Sequence, residues 1–253
     1  MVKLTLISPM RSAMPMHNDS NIRLLEWDSL FFEKKIGTYT LTHGNILPPH
    51  ICTEAMDARY DCLYVWSDQA LDLQHVSAPL QHVFPSVQIT FTRELSNADI
   101  PSPDPDAHHC PAATPALYPL AVTAGAWSRF FLDTHFPHEK SIQLYHRWLE
   151  GSFHGSMGDS VITIGPPEKP IGLITVKKIA DELHVGLVSV DSAYRQQGVG
   201  SRLLRSAIRY AYAQHCKRIS VTTQEQNTAA IALYTQQDFH LTRRQHITHL
   251  WFT

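Results

Sequence analysis

The residues best placed to do chemistry lie between Arg195 and Ser201, which read Arg-Gln-Gln-Gly-Val-Gly-Ser. An apolar run, Leu187-Val188-Ser189-Val190, leads into them, and a helical pattern follows. The first backbone N–H groups of a helix have no partners within it. With the helix dipole they attract an anion. Gly198 and Gly200 carry no side chain, so phosphate oxygens can approach those N–H groups, and Arg195, Gln196 and Gln197 add donors at the mouth. This chemistry is phosphate binding, most naturally of a diphosphate. Two glycines at a helix start also permit tight packing of the helix on a strand, and spacing alone does not separate the two readings. The loop lacks the Lys-Ser/Thr of a P-loop and the third glycine of a dinucleotide fold.

A second cluster follows the strand Arg218–Thr223. Asn227 can cap a helix or bond a ligand, and Tyr234 stands seven residues later. A phenol can protonate a departing thiolate, or it can be one more core aromatic on an Ala-rich helix. Taken together, Arg195-Gln-Gln-Gly198-Val199-Gly200 with Asn227, Ala230, Leu233, Tyr234 and Phe239 resembles the two signature blocks of the GNAT family of N-acetyltransferases. Asp238 stands where that family usually has glycine, at a position that favours a left-handed backbone, which Asp tolerates.

The resemblance covers about residues 116–253 and implies acetyl-CoA as cosubstrate, with no metal. It implies that the loop from Arg195 to Ser201 cradles the pyrophosphate and that Leu187, Val188, Ser189 and Val190 run beside the pantetheine arm. A backbone N–H near Val188 would polarise the thioester carbonyl. Tyr234 would be the general acid, and the amine would attack directly in a ternary complex. The strand before the loop carries no carboxylate ahead of Asp191, which is assigned to the loop. His135, Asp28 and Glu26 are the remaining candidates for a base, each with a surface or structural alternative, and water can suffice.

A narrower likeness links Trp27-Asp28, Phe31-Phe32, Arg129-Phe130, Tyr145, Trp148, Thr222-Thr223-Gln224 and Asn227-Thr228-Ala229 to members that acetylate the amine of a nucleotide-linked 4,6-dideoxy sugar. It implies that Arg129 pairs with a diphosphate and that Phe130, Tyr145 or Trp148 stacks on the base or sugar. Tyr145 and Trp148, with Leu144 and Leu149, equally fit the buried stripe of an amphipathic helix. A protein or peptide amine and a non-catalytic acyl-CoA-binding module are the alternative functions. The second should show a damaged loop or a lost Tyr234, and neither is seen.

The elements that must position these residues follow from the pattern. Strands are expected at Ser160–Ile164, Ile171–Lys178, Leu183–Val190 and Arg218–Thr223. Helices are expected at about 123–133, 138–153, 198–215 and 228–237, and strand-like composition marks Phe239–Phe252. A strand, a helix and a strand in that order imply a parallel pair with a right-handed crossover. The stretch Ser96–Pro119 holds six prolines and no apolar periodicity. It divides a small N-terminal α/β domain, residues 20–95, from an acetyltransferase domain, 116–253, with a Pro-rich linker at 96–115. The predicted class is α/β (α+β), a mixed twisted sheet flanked by helices in the GNAT fold.

Bulk properties narrow the partners. A net charge of −2 argues against nucleic acid. Cysteines at 52, 62, 110 and 216 fit neither a zinc site nor a disulfide framework, so reduced thiols and a cytoplasmic protein are expected. His108-His109-Cys110 is read as solvated linker rather than a metal site. The first sixteen residues make a poor signal peptide, and no apolar run is long enough for a bilayer. A small-molecule amine is the expected partner, no membrane is implied, and a homodimer is compatible with the family.

Overall fold

The computed structural model describes residues 22–74, 76, 79–96 and 100–252. Residues 1–21, read above for a leader, and 97–99 of the expected linker lie outside the described residues. The chain divides into two compact units, residues up to 88 with 244 onward, and residues 89–243.

In the first unit, α1 (Glu26–Phe32) and α2 (Pro49–Asp57) accompany β1 (Arg23–Leu24), β2 (Ile36–Thr40) and β3 (Cys62–Ser67). β1 pairs antiparallel with β2, β2 parallel with β3, and residues 246–251 of β10 (His240–Trp251) antiparallel with β3. Ile51, Cys52 and Ala55 fall on one face of α2 and bury against Leu63, Val65 and Leu250, the spacing of an amphipathic helix on a strand. The chain passes from one unit to the other within β4 (His82–Glu94) and again within β10.

The second unit holds β5 (Ala107–Cys110), α3 (Leu117–Ala124), α4 (Arg129–Leu132), α5 (His138–Phe153), β6 (Ser160–Ile164), β7 (Gly172–Ile179), β8 (Glu182–Val190), α6 (Val199–Ala213), β9 (Arg218–Gln224) and α7 (Thr228–Thr235). β5, β6, β7 and β8 pair antiparallel in succession, and β8 pairs parallel with β9 across the α6 crossover. The sheet is mixed, as predicted.

Helices cover both faces. Gly172 of β7 faces Leu203 of α6, where a Cβ would lie 3.0 Å from Leu203 Cδ1. Five residues on, and so on the opposite face, Lys177 reaches Gly155 O and Ser156 O just beyond α5. Val199, Leu203, Leu204, Ala207, Ile208 and Ala211 are the buried side of α6, the stripe its sequence shows.

Two expectations change. The stretch 96–115 contains β5, paired with β6 from Ala107↔Ile164 to Cys110↔Val161, so part of the expected linker is sheet. His109 Nδ1 lies 2.8 Å from Ser160 Oγ. Flanking prolines hide this four-residue edge strand, because they erase the alternation that marks longer ones. The helix expected at 123–133 is two helices: α3 stops at Gly125, and Ser128, extended at ψ 153°, restarts the chain as α4.

Candidate active site

β8 is the frame of the site. It pairs with β9 only from Glu182↔Arg218 to Val185↔Val221. Beyond that point the β7–β8 register shifts, with Gly186 and Leu187 both opposite Thr175. Leu187 N–H donates to Thr175 Oγ1 at 2.8 Å and Asp191 N–H to Ile171 O at 2.9 Å, both towards β7. Alternation along the strand therefore turns the main-chain groups of Val188 and Val190 to the other edge, where the ladder to β9 has ended. Val190 O there accepts from Arg195 Nε at 3.4 Å. Ser189 Oγ is buried and has no hydrogen-bond partner.

The loop that follows is built on tight turns. Asp191 Oδ1 accepts from Ala193 N, so this carboxylate is committed to the turn. Gln197 Nε2 donates to Ala193 O at 3.1 Å. Gln196 (φ 60°) and Gly198 (φ 78°) are left-handed. Gly198 is the N-cap of α6 and supplies no capping side chain, and nothing lies within 4 Å of where its Cβ would be. Arg202 N–H closes the first turn onto Gly198 O, so Val199, Gly200 and Ser201 present their N–H groups at an open helix start. The two glycines have different reasons. Gly198 supplies a backbone torsion that L-residues resist, whereas a Cβ on Gly200 would come 3.0 Å from Leu233 Cδ2. Gly200 thus lets α6 meet α7, the packing alternative, and joins the loop to the helix that bears Tyr234.

Asn227 is the N-cap of α7. Its Oδ1 accepts from Ala230 N at 3.2 Å and its Nδ2 donates to Thr223 Oγ1 at 3.1 Å, so both ends of the side chain are engaged. Tyr234 is 4% exposed, its ring between Phe91 and Phe239 at 5.8 and 6.2 Å. Burial raises its pKa above the ordinary phenol value. Asp238 has φ 59°, the left-handed conformation expected where the family has glycine.

The four residues expected to meet the acceptor are interior. Phe130 and Tyr145 are 4% and 5% exposed, Trp148 and Arg129 8% and 9%. Arg129 Cζ lies 4.3 Å over the Phe130 ring, and Tyr145 stacks on Trp148 at 5.7 Å. The Trp148 indole lies against Gly186, and its Nε1 is buried with no hydrogen-bond partner. Tyr145 and Trp148 are interior because they belong to the buried stripe of α5, and Arg129 and Phe130 are the buried residues of α4. His135 is bound to Asp133 through its main chain at 3.1 Å, and Glu26 and Asp28 lie on α1 of the first unit.

Sequence reasoning passed over His184. It pairs with Lys177 on β7 and with Ser220 on β9, which puts it on the α5 face, one pair before the β8–β9 ladder opens. Ser220 Oγ lies 3.1 Å from His184 Nδ1. Burial works to raise the pKa of Glu182, but hydrogen bonds from Ser220 and Arg218 outweigh it and lower the value. Arg218 Nε reaches Glu182 Oε2 at 2.6 Å. His184 Nε2 lies 3.7 Å from Glu182 Oε1, so one ring nitrogen faces the Ser220 hydroxyl and the other the Glu182 carboxylate. Burial lowers the His184 pKa, against the pull of Glu182, so the ring is neutral at pH 7. The histidine in HVGLVSV is the sequence signal for a base on a strand that carries no carboxylate ahead of Asp191.

Comparison with known proteins agrees with this frame. Residues 127–239 match the model of the acetyltransferase (GNAT) family. The chain is 30% identical over 124 residues to dTDP-fucosamine acetyltransferase of Escherichia coli, covering 48% of this chain and 52% of that protein. It is 32% identical over 80 residues to N-alpha-acetyltransferase 30 of Saccharomyces cerevisiae, 30% of this chain and 46% of that one. It thus spans about half the length of these curated relatives. A tandem GNAT protein from the clavulanic acid biosynthesis pathway shares the fold, with a TM-score of 0.50 and 12% identity over 81% of this chain and 68% of that one. The part of this chain that is similar to the acetyltransferase (GNAT) family, residues 127–239, lies wholly inside the second unit.

Proposed function

We propose that this chain is an acetyl-CoA-dependent N-acetyltransferase acting on the amine of a nucleotide-linked amino-deoxy sugar. The donor assignment rests on the family match together with one observation, the uncapped start of α6 beside the open edge of β8. The space at Gly198 and the N–H groups of Val199, Gly200 and Ser201 fit a pyrophosphate, with Arg195 at the mouth. When bound, acetyl-CoA supplies an activated acetyl thioester. Val188 N–H faces the open edge of β8, where it would hold the carbonyl oxygen of the thioester. The His184 ring takes the proton of the amine, directly or through water.

Tyr234 needs a closer reading than a simple acid. A phenol above its ordinary value of about 10 does not readily surrender its proton to a thiolate whose thiol has a pKa of about 8.5. The buried hydroxyl instead stabilises the departing sulfur by donating a hydrogen bond. Asn227 positions α7 by capping it, and needs no contact with the ligand to do so.

The acceptor assignment is supported by the relative with the longer match, dTDP-fucosamine acetyltransferase, and by the motifs shared with nucleotide-sugar enzymes. A cytoplasmic enzyme suits such a substrate, and no helix among the described residues is long and apolar enough to cross a membrane. The test is acetyl-CoA consumption across nucleotide amino sugars, free amino sugars and N-terminal peptides. The reading expects turnover of a dTDP- or UDP-linked amino-deoxy sugar and little on the free sugar, because the nucleotide orients the amine. Turnover of peptides alone would move the chain to the chemistry named for its yeast relative.

A further inference from the structure

The proline-rich segment ahead of β5 has a task that the mechanism above does not use. Residues 100–106 read Ile-Pro-Ser-Pro-Asp-Pro-Asp, and alternating prolines hold such a stretch extended at small entropic cost. It lies along the outer side of α6. Arg202 Nε and Nη2 form a two-pronged pair with Asp104 Oδ2 and Oδ1, each at 2.7 Å, and Nη2 also reaches Asp106 Oδ2 at 2.6 Å. Arg209 Nη1 donates to Pro101 O at 3.2 Å, and Tyr212 Oη donates to Ser96 O. Positions 202, 209 and 212 share one stripe of the helix, away from its buried face.

Arg202 is an unusual place for such an anchor. A cation in the first turn of a helix opposes the dipole, and here two carboxylates neutralise it. Its backbone N–H is also the group that bonds Gly198 O at 3.0 Å. Asp104 therefore grips, through one residue, the turn that fixes the left-handed Gly198 and aims the free N–H groups of Val199, Gly200 and Ser201. Asp104 is itself set by a local turn, its Oδ1 accepting from Asp106 N at 3.0 Å, and Ala107 then enters β5. The strap thus ties the edge of the sheet to the start of α6.

Resting on the coenzyme A reading above, we propose that Asp104 is a positioning residue: through its fork with Arg202 it holds the α6 start in its anion-binding form. It acts on donor affinity, not on the chemical step. The experiment compares wild type, Asp104→Asn and Asp104→Glu by calorimetry with coenzyme A and by steady-state kinetics, well below each melting temperature. D104N should weaken coenzyme A binding and raise the acetyl-CoA KM about tenfold, as expected for a lost charge-assisted fork. Its kcat should stay within about twofold, and D104E should recover most of the loss. If D104N does not fold, Arg202→Lys keeps the charge, loses the fork and reads the same split. A D104N protein that melts lower yet binds coenzyme A as wild type does, or one that loses kcat at unchanged KM, overturns the proposal. A wild type with no affinity for coenzyme A would instead overturn the donor assignment itself.

Discussion

α6 and α7 begin in opposite ways. α7 starts with Asn227, whose side chain satisfies Ala230 N–H and is itself tied to Thr223. α6 starts with Gly198, left-handed and without a side chain, and no capping bond is made. A glycine at a helix start in place of a side-chain cap costs only about a few tenths of a kcal/mol. α6 is the longer and more strongly amphipathic of the two, with six buried residues against one in α7, so its burial can sustain an open end. The start of α7 is closed by its own side chain, and that of α6 is not.

The largest break in this comparison is Gly198→Glu. The substitution strains a backbone at φ 78° and places a carboxylate where the diphosphate should lie. Like charges at about 4 Å cost on the order of 4 kcal/mol in a partly exposed site, or roughly a thousandfold in affinity. Calorimetry on folded G198E should therefore show coenzyme A binding effectively lost. Retained affinity would mean that the open start of α6 serves packing alone.

Much of this site was legible because its signals are local. The loop, the helix after it and the strand–helix–strand crossover all lie in one stretch from Leu187 to Tyr234, with the amphipathic pattern intact. What was hidden is what the chain assembles over distance. Four residues of β5 among prolines become a strand only by pairing with β6. β10 gives His246–Trp251 to β3 of the first unit, so a boundary drawn at one point in the sequence could not capture either unit. Tyr145, Trp148, Phe130 and Arg129 carry chemistry-capable groups, and only their packing shows them to be interior. Gly198 and Gly200 look alike in sequence, and only the left-handed torsion of the first and the Leu233 side chain against the second separate their roles.

β8 offers the same contrast on a smaller scale, a paired half bearing His184 and an open half bearing Val188. His184→Gln removes the basic nitrogen and should lower turnover about a hundredfold. The pH profile sharpens the point. Burial lowers the pKa of His184 below its ordinary 6.5, so a base here is active above that pKa. Wild-type kcat/KM should be level through neutral pH and fall on the acid side, and H184Q should lose that acid limb. An unchanged profile would return the proton to water.

Tyr234→Phe should have a smaller effect. The phenol is read as a hydrogen-bond donor to a developing charge, a contribution of about 1.5–3 kcal/mol. The expected loss in kcat is about ten- to a hundredfold, with acetyl-CoA affinity nearly unchanged, measured where chemistry limits the rate. A kcat equal to wild type would make Tyr234 only the partner of Phe91 and Phe239.

Asn227→Ala is the smallest perturbation and tests the other side of the comparison. Its side chain makes two bonds inside the protein, to Ala230 N–H and to Thr223 Oγ1. Removing the cap should cost about 1 kcal/mol of stability, seen as a lower melting temperature. α7 is short, eight residues, so the loss falls on the element that carries Tyr234, and a modest drop in kcat can accompany it. Coenzyme A affinity should change by less than about twofold, because both ends of the Asn227 side chain are already engaged within the protein. An affinity loss well beyond the stability loss would show that Asn227 trades its cap for the pantetheine. Both helix starts would then be finished by ligand, and the contrast between α6 and α7 would not hold.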